Sequence, residues 1–391
     1  MEHFDFDEIV CRRGTGSYKW DTPPADDILP MWVADMDFRT APCIIEALRR
    51  RVEHGVFGYT KVGADYYDAL TGWFRRRHGW EINPDDVIYT SGVVPAISAI
   101  IKGLTRPGDK IIVQTPVYNC FFSSIRNNGC GIFENPLIYH PDGRYTIDFD
   151  GLERCAADPR ATMMLLCNPH NPAGRVWTRD ELRRIGDICL RHNVIVVSDE
   201  IHCELTFPGF EYTPYATLGD GLSARCVCCN SPSKAFNTAG LQIANIVCRD
   251  PEMRRRIDRA INDNEVCDVN PFGVTALVAA YNEGEPWLAA LVKYLHGNYL
   301  MAMERLTAGL PGYTATPLEG TYLLWLNIAP SGLDGETFAL RLEEQSRVMV
   351  SPGAIYGAPG EQFIRINLAA PRAVVADGID RIVSFAKGLK D

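Results

Sequence analysis

The 391-residue sequence has no excess of positive charge and no long apolar run. Lys and Arg together number 39 and Asp and Glu 49, which leaves a formal net charge of −10. Nucleic-acid-binding proteins and proteins of anionic membrane surfaces need clustered cations, so we expect neither partner. No run of roughly 18 apolar residues could span a bilayer, and the acidic start lacks a signal-peptide pattern. The sequence therefore predicts a cytoplasmic protein.

A disulfide framework is also missing. The 13 cysteines are odd in number and lie mostly inside apolar runs, which favours reduced, buried thiols. Cys226 and Cys229 form a C-x-x-C pair, which could belong to a redox or zinc site. On a strand, however, residues three apart point to opposite faces, and the sequence contains no second pair. We therefore predict no metal site.

What the sequence does contain is an alternation of short apolar runs and longer amphipathic stretches. Runs of four to six apolar residues predict buried strands at 87–90, 110–114, 162–167, 194–198, 225–229 and 243–248. Thr178 stands three residues before Glu181, a capping box that predicts a helix closed by Asn193. Strands that alternate with helices predict an α/β fold with a mostly parallel sheet covered by helices. We place this large domain at residues 46–284, and a smaller α+β domain at 1–45 and 285–391.

Polar segments directly follow three of the predicted strands. They are residues 168–174, 199–202 and 230–234, and they contain Asn171, Asp199, Ser231, Ser233 and Lys234. Ordinary turns also use Asn, Pro, Ser and Gly, so each segment alone favours a turn. The carboxyl ends of parallel strands share one crevice, however, and together the segments offer a lysine, a carboxylate and hydroxyl donors. Pyridoxal phosphate needs this combination, for a Schiff base, for its ring nitrogen and for its phosphate.

Several motifs carry a resemblance to a known family. Residues 107–109, the segment NPHNPAG at 168–174, Asp199 and the segment SPSK ending at Lys234 occur in the order of the class I/II aminotransferase superfamily. The chain resembles these fold-type I pyridoxal-phosphate enzymes over nearly its whole length. Residues 14–21, 30–38, 91–98 and 167–172 are more locally similar to the MalY/PatB branch, the cystathionine β-lyases and C–S lyases. The resemblance implies a large cofactor-binding domain with a smaller domain beside it.

The resemblance also implies roles for single residues around the cofactor ring. Lys234 would form the Schiff base and, once released, act as the proton-transfer base. Asp199 would pair with the pyridine N–H, Asn171 would donate to the ring 3′-oxygen, and Tyr118 would stack on the ring. His202 stands where aminotransferases often have tyrosine, and it is read either as a cofactor contact or as a packed histidine.

The phosphate and the substrate carboxylate have implied partners as well. The backbone N–H groups of Val93 and Val94 would receive the phosphate at a helix N-terminus, aided by the hydroxyl groups of Ser231 and Ser233. Tyr59 would reach the phosphate of the neighbouring subunit, which implies a homodimer. Arg365 would bind the α-carboxylate of a small amino-acid substrate. Where many aminotransferases have a phosphate-binding arginine, eight residues after the lysine, this sequence has Gln242.

The sequence is compatible with three functions. The local motifs favour pyridoxal-phosphate-dependent β-elimination from cystathionine or a cysteine S-conjugate, which yields pyruvate, ammonia and a thiol. An aminotransferase shares each step up to removal of the Cα proton, so the residues alone do not separate it from a lyase. A regulatory role in binding a transcription factor is the third possibility, although Lys234, Asp199 and Arg365 are all present.

Overall fold

The computed structural model describes residues 4–263, 265 and 268–389. The amino-terminal segment contains α1 (Tyr18–Asp21), β1 (Leu29–Pro30) and α2 (Pro42–His54). Short 3₁₀ helices lie at Pro84–Asp86, Tyr215–Thr217, Ala239–Leu241, Ala329–Ser331, Gly353–Tyr356 and Ala358–Gly360. In this described part of the chain, no helix combines the length and the hydropathy needed to cross a bilayer.

The central part of the chain alternates strands with helices, as predicted. Its elements are α3 (Ala64–His78), β2 (Val87–Thr90), α4 (Val93–Leu104), β3 (Lys110–Val113), α5 (Cys120–Asn127), β4 (Gly131–Glu134), β5 (Ile138–Tyr139), β6 (Tyr145–Thr146), α6 (Phe149–Ala156), β7 (Ala161–Cys167), α7 (Arg179–Arg191), β8 (Ile195–Asp199), α8 (Asp220–Ser223), β9 (Cys226–Asn230), β10 (Ala244–Val247), α9 (Pro251–Asn262) and α10 (Pro271–Glu283).

The remaining elements form a helix-rich stretch with a second sheet. They are α11 (Glu285–Gly309), β11 (Thr314–Ala315), β12 (Leu323–Asn327), α12 (Gly335–Ser346), β13 (Val348–Met349), β14 (Ser351–Pro352), β15 (Phe363–Asn367) and α13 (Arg372–Gly388).

Within the described residues, the largest sheet has seven strands in the order β2-β10-β9-β8-β7-β3-β4. Only β10 runs antiparallel to the others, which confirms the predicted α/β fold with a mostly parallel sheet. The six predicted strands agree with the observed ones to within one residue at each end. They are locally predictable because strands covered on both faces are apolar along their length, as in β7, where nearly every residue is buried.

Helix α7 shows how local signals set an element boundary. Thr178 caps the first turn through the backbone N–H of Glu181, and the Glu181 side chain accepts from the Thr178 backbone. This reciprocal pair satisfies donors that a helix start otherwise leaves free. Asn193, just beyond the helix, takes a positive φ of 59°, a conformation that asparagine tolerates. The predicted capping box and the predicted end of the helix are both confirmed.

The second sheet has the antiparallel order β11-β12-β15-β14, with α12 and α11 packed on α13 beside it. Strand β1 pairs with β13, which joins the amino-terminal segment to this carboxyl-terminal region. Helix α2 crosses the predicted boundary at residues 45 and 46 and packs on α10. The division into domains at 46–284 and 1–45 with 285–391 stays a prediction.

The register of the large sheet determines where the polar segments meet. Cys167 at the end of β7 pairs with Asp199 at the end of β8, and Asp199 pairs with Cys229 in β9. The segments that follow these three strands therefore leave the sheet at the same edge. The crevice at this edge is the place where open α/β sheets bind ligands.

Candidate active site

A cavity of about 250 Å³ lies at this edge of the sheet. It brings together most of the residues that the sequence nominated, although they lie far apart along the chain. The nominated residues that line it are Val93, Val94, Tyr118, Asn171, Asp199, His202, Lys234 and Arg365. The cavity therefore collects a lysine, a carboxylate, a histidine and an arginine in one space.

Lys234 follows the end of β9 and is partly exposed to the cavity. Its Nζ donates a hydrogen bond of 2.7 Å to the backbone oxygen of Ala34, 200 residues away in the sequence. Burial lowers the pKa of Lys234 to about 8, and the nearby positive charge of Arg365 acts in the same direction. The amine can therefore lose its proton near neutral pH.

Asp199 ends β8 and is almost fully buried. Among the described residues, its carboxylate accepts one hydrogen bond, of 3.1 Å, from the backbone N–H of Ile201. Burial raises the pKa of Asp199 to about 7, and this hydrogen bond and the charge of Lys234 only partly oppose that effect. A cationic partner in the cavity would favour the ionised carboxylate.

Arg365 lies in the middle of β15, where it pairs with Trp325 and Ser351 on the neighbouring strands. Its guanidinium donates to Oδ1 of Asn171 at 3.1 Å and to the backbone oxygen of Trp32 at 2.9 Å. It also lies over the ring of Tyr356, 4.8 Å from the centroid. These contacts hold the guanidinium in one orientation at the cavity wall, and the Asn171 amide nitrogen remains as a donor.

His202 and Tyr118 present aromatic rings to the cavity. His202 is buried, and its Nδ1 has no hydrogen-bond partner within the described structure. Burial holds the pKa of His202 well below its usual value, so the ring is neutral. Burial and the Cys120 thiol raise the pKa of Tyr118, which keeps its hydroxyl protonated. Both rings can contact a bound ligand without adding charge.

The N-terminus of α4 is open at the cavity. Gly92 occupies its N-cap position and offers no side chain to the first N–H groups, including those of Val93 and Val94. Unsatisfied N–H groups and the helix dipole favour an anion at such a position. The predicted phosphate partners Val93 and Val94 therefore lie where an anionic group can be bound.

The other predicted phosphate partners do not line this cavity. Ser231 donates to the backbone oxygen of Ile243 at 2.7 Å and accepts from the backbone N–H of Ser233 at 3.1 Å. Tyr59 is 99% exposed on the surface. Gln242 is exposed as well. Within a single chain, backbone groups are thus better placed for an anion than these side chains, and the roles of Ser231, Ser233 and Tyr59 stay predictions.

Sequence reasoning did not assign a role to several residues of the site. The backbone oxygens of Trp32 and Ala34 accept from Arg365 and Lys234, and the side chains of Tyr18, Trp32 and Tyr356 line the cavity. Residues 14–21 and 30–38 did stand out as motifs. Side-chain types cannot indicate which backbone oxygens will accept a hydrogen bond, so the motif was visible and its contacts were not.

These residues can be tested against the chemistry of pyridoxal phosphate. The cavity contains two buried nitrogens, Nδ1 of His202 and Nε of Arg365, that have no hydrogen-bond partner among the described residues. It also contains a buried carboxylate with one donor, an open helix N-terminus and a lysine with a lowered pKa. A ligand with an anionic group, a cationic ring nitrogen and a carbonyl carbon satisfies these groups. The fold and the site together are those of a fold-type I pyridoxal-phosphate enzyme.

Comparison with known proteins supports this class and narrows it. Residues 26–382 match the family Aminotransferase class I and II. The chain is 42% identical to cystathionine beta-lyase PatB of Bacillus subtilis, over 97% of this chain and 98% of the relative. It is 34% identical to protein MalY of Escherichia coli, over 99% and 100% of the two chains.

A solved structure is similarly close. Cystalysin from Treponema denticola, which contains pyridoxal 5′-phosphate, superposes with a TM-score of 0.96 at 35% identity and covers 99% of this chain and 100% of that chain. The protein therefore belongs to the class I and II aminotransferase family, within its group of PatB- and MalY-type C–S lyases. The predicted family, lyase class and cofactor are confirmed.

Proposed function

We propose that the protein cleaves the carbon–sulfur bond of cystathionine or a cysteine S-conjugate by β-elimination, releasing pyruvate, ammonia and a thiol. Pyridoxal phosphate, when bound, supplies a carbonyl carbon for the substrate amine and a ring that withdraws electrons from Cα. The observation that carries the proposal is the meeting of Lys234, Asp199 and Arg365 in one cavity. The lyase names of the relatives favour elimination over amino transfer.

Lys234 is the proposed base that removes the Cα proton. With a pKa of about 8, about one fifth of the amine is neutral at pH 7.4. For an unperturbed lysine with a pKa of about 10.4, this fraction is about one in a thousand. Burial and the nearby charge of Arg365 thus make a much larger fraction of the amine neutral and able to accept a proton.

Asp199 and Asn171 would hold the cofactor ring in its reactive state. The Asp199 carboxylate would retain a proton on the pyridine nitrogen, and the Asn171 amide would donate to the 3′-oxygen. Tyr118 would cover one face of the ring, with His202 beside it. The N–H groups of Val93 and Val94 would hold the phosphate, with Ser231 and Ser233 as further hydroxyl donors after a local rearrangement.

Arg365 would bind the α-carboxylate of the substrate. To do so, its guanidinium would exchange the Trp32 backbone oxygen for a carboxylate oxygen, which gains a charge-assisted bond. The Asn171 contact would keep the guanidinium plane in place during the exchange. The α-carboxylate thereby orients the Cα–H bond toward Lys234.

A homodimer is part of the proposal. Val52, Val56, Phe57 and Tyr59 form an exposed apolar segment near the end of α2, which suits a second copy of the chain. Tyr59 of one subunit would then supply the phosphate donor that the other subunit lacks. Mixing inactive Tyr59→Ala and Lys234→Ala subunits tests this arrangement, because a mixed dimer contains one intact site. Recovery of activity is expected, and no recovery would contradict a shared site.

The reaction itself is tested with cystathionine or S-methyl-L-cysteine and no keto-acid acceptor. A lyase releases pyruvate, ammonia and thiol over many turnovers, whereas an aminotransferase stops after one half-reaction and needs an acceptor such as 2-oxoglutarate. We expect sustained pyruvate release from the wild-type enzyme and none from Lys234→Ala. Dominant, acceptor-dependent amino transfer would instead assign the protein as an aminotransferase.

A further inference from the structure

The charged residues of the cavity lie away from its most exposed lining residues. Asp199, His202 and Arg365 are buried at its inner end. Its mouth is formed by Tyr18, Trp32 and Ile355, of which Tyr18 is 71% and Ile355 39% exposed. Among the described lining residues, none at the mouth carries a charge. The inner end suits an amino acid headgroup, and the mouth suits an apolar group.

The aromatic pair at the mouth has a defined geometry. The rings of Tyr18 and Trp32 lie 5.3 Å apart with an interplanar angle of 43°. The Trp32 indole N–H donates to the backbone oxygen of Lys19 at 3.2 Å, which ties the pair together. Such tilted pairs leave ring faces and edges free to pack against a third apolar group.

The pair is held in place although Tyr18 is exposed. The neighbouring residue, Lys19, is buried and forms an ion pair of 2.8 Å with Asp37. The Trp20 indole N–H donates to the same carboxylate at 2.8 Å. Helix α1 is capped by Ser17. An exposed tyrosine on such an anchored turn at a cavity mouth is a surface arranged for contact, unlike a scattered apolar residue elsewhere on the surface.

The cavity has few cationic side chains that could bind a carboxylate of the substrate. Arg365 is the one arginine among the described lining residues, and the proposed function uses it for the α-carboxylate. Cystathionine carries a second ammonium and a second carboxylate beyond its sulfur. These groups would have to lie at the mouth, where the lining offers rings and an isoleucine. The two charged groups would therefore find no ion-pair partner in this lining, whereas an apolar group on the sulfur would pack against the rings.

We propose that Tyr18 and Trp32 bind an uncharged aromatic or alkyl group on the substrate sulfur, so that the enzyme prefers apolar cysteine S-conjugates to cystathionine. This inference rests on the proposed lyase function and names the substrate class of the same site. Tyr18 and Trp32 thereby act as specificity-determining residues, and the inner residues recognise the headgroup that all such substrates share.

The test compares S-benzyl-L-cysteine, S-methyl-L-cysteine and L-cystathionine with the holoenzyme. We expect kcat/KM for pyruvate release to be at least about tenfold higher for S-benzyl-L-cysteine than for cystathionine. Tyr18→Ala should lower kcat/KM for S-benzyl-L-cysteine about tenfold more than for S-methyl-L-cysteine, since aromatic contacts contribute on this scale. Tyr18→Phe keeps the ring and should keep the preference.

The matched control is Phe210→Ala, because Phe210 is 44% exposed and does not line the cavity. This variant should leave the preference unchanged. A higher kcat/KM for cystathionine, or an equal loss for all substrates in Tyr18→Ala, would overturn the inference. Absence of pyruvate from all three substrates would reject the lyase function alone, because equilibrium binding still tests the inference. Tighter binding of S-benzyl-L-cysteine then supports it, and tighter binding of cystathionine overturns it.

Discussion

Two buried carboxylates five residues apart, Asp199 at the end of β8 and Glu204 on the loop that follows, have opposite surroundings. Asp199 accepts a single backbone hydrogen bond and faces the cavity. Glu204 accepts from the Trp73 indole at 2.6 Å and from Arg77 at 2.7 Å, and Nε2 of His78 lies 2.8 Å from it. Burial raises the pKa of Asp199 to about 7. Burial opposes ionisation of Glu204 as well, but its contacts with His78 and Arg77 outweigh this effect and lower its pKa.

Glu204 is a structural carboxylate, whereas Asp199 has few protein partners and can bind a ligand. His78, Cys203 and Glu204 bring ligand atoms within 4.8 Å of one another, as a metal site would. Glu204, however, already has three partners, so we interpret the group as an anchor between α3 and the loop that follows β8. Burial is similar for both carboxylates, and the number of partners distinguishes them.

The largest expected effect is the loss of activity on replacing Asp199, the carboxylate that faces the cavity. Asp199→Asn replaces the carboxylate with an amide that cannot stabilise a cationic ring nitrogen. We expect pyruvate release to fall by about a thousandfold or more, a loss of about 4 kcal/mol in transition-state stabilisation. The free energy of unfolding of the cofactor-free protein should not decrease, because the variant removes a poorly satisfied buried charge. Near-normal turnover would remove Asp199 from the proposed site.

The second prediction concerns Glu204 and its contribution to the stability of the fold. Glu204→Gln removes the anion that pairs with His78 and Arg77, of which, within the described structure, only Arg77 keeps another ion pair, with Glu285 at 3.0 Å. We therefore expect the free energy of unfolding in urea to fall by about 3 kcal/mol. Turnover per folded molecule should stay within a few-fold of the wild-type value. Glu252→Gln is the matched control, since its pair with Arg255 is exposed and screened by solvent and should contribute little to stability. Equal stability of the two variants would contradict the anchor role.

The smallest expected effect is a change with pH in the contribution of Asp199 to stability. The folded pKa of Asp199, about 7, exceeds its unfolded value, so its contribution to stability is present at low pH and is lost as pH rises toward 7. In the cofactor-free protein, the stability of wild type relative to Asp199→Asn should fall by about 1.2 kcal/mol between pH 5.5 and 6.5. Urea unfolding at these two values measures the difference, and a flat difference would disprove the raised pKa.

Glu204 should show the opposite sign in the same experiment. Its folded pKa is lowered, so its contribution to stability is present above the usual carboxyl pKa and is lost as the pH falls through the folded value. The stability difference between wild type and Glu204→Gln should therefore shrink as the solution becomes acidic, which is the opposite direction to that for Asp199.

The contrast between Asp199 and Glu204 could be predicted only in part from the sequence. Asp199 ends β8 and Glu204 follows five residues later, and the position of Asp199 at a strand end marked it as a site residue. Nothing in the local sequence distinguishes the environment of Glu204, because Trp73, Arg77 and His78 lie more than 120 residues earlier. Partners that distant are chosen by packing and have no local signal.

Local residue types were enough to predict the strands, the helix cap at Thr178 and the strand-end positions of Asn171, Asp199 and Lys234. These features depend on apolar runs and on hydrogen bonds between near neighbours, which local residue types specify. Only the tertiary structure brought the backbone oxygens of Trp32 and Ala34 to Arg365 and Lys234, across 333 and 200 residues. It also decided that Ser231 donates to Ile243. Such contacts depend on how separate elements pack. The pKa shifts of Asp199 and Lys234 depend on packing as well, because burial and nearby charges act on these groups only in the folded chain.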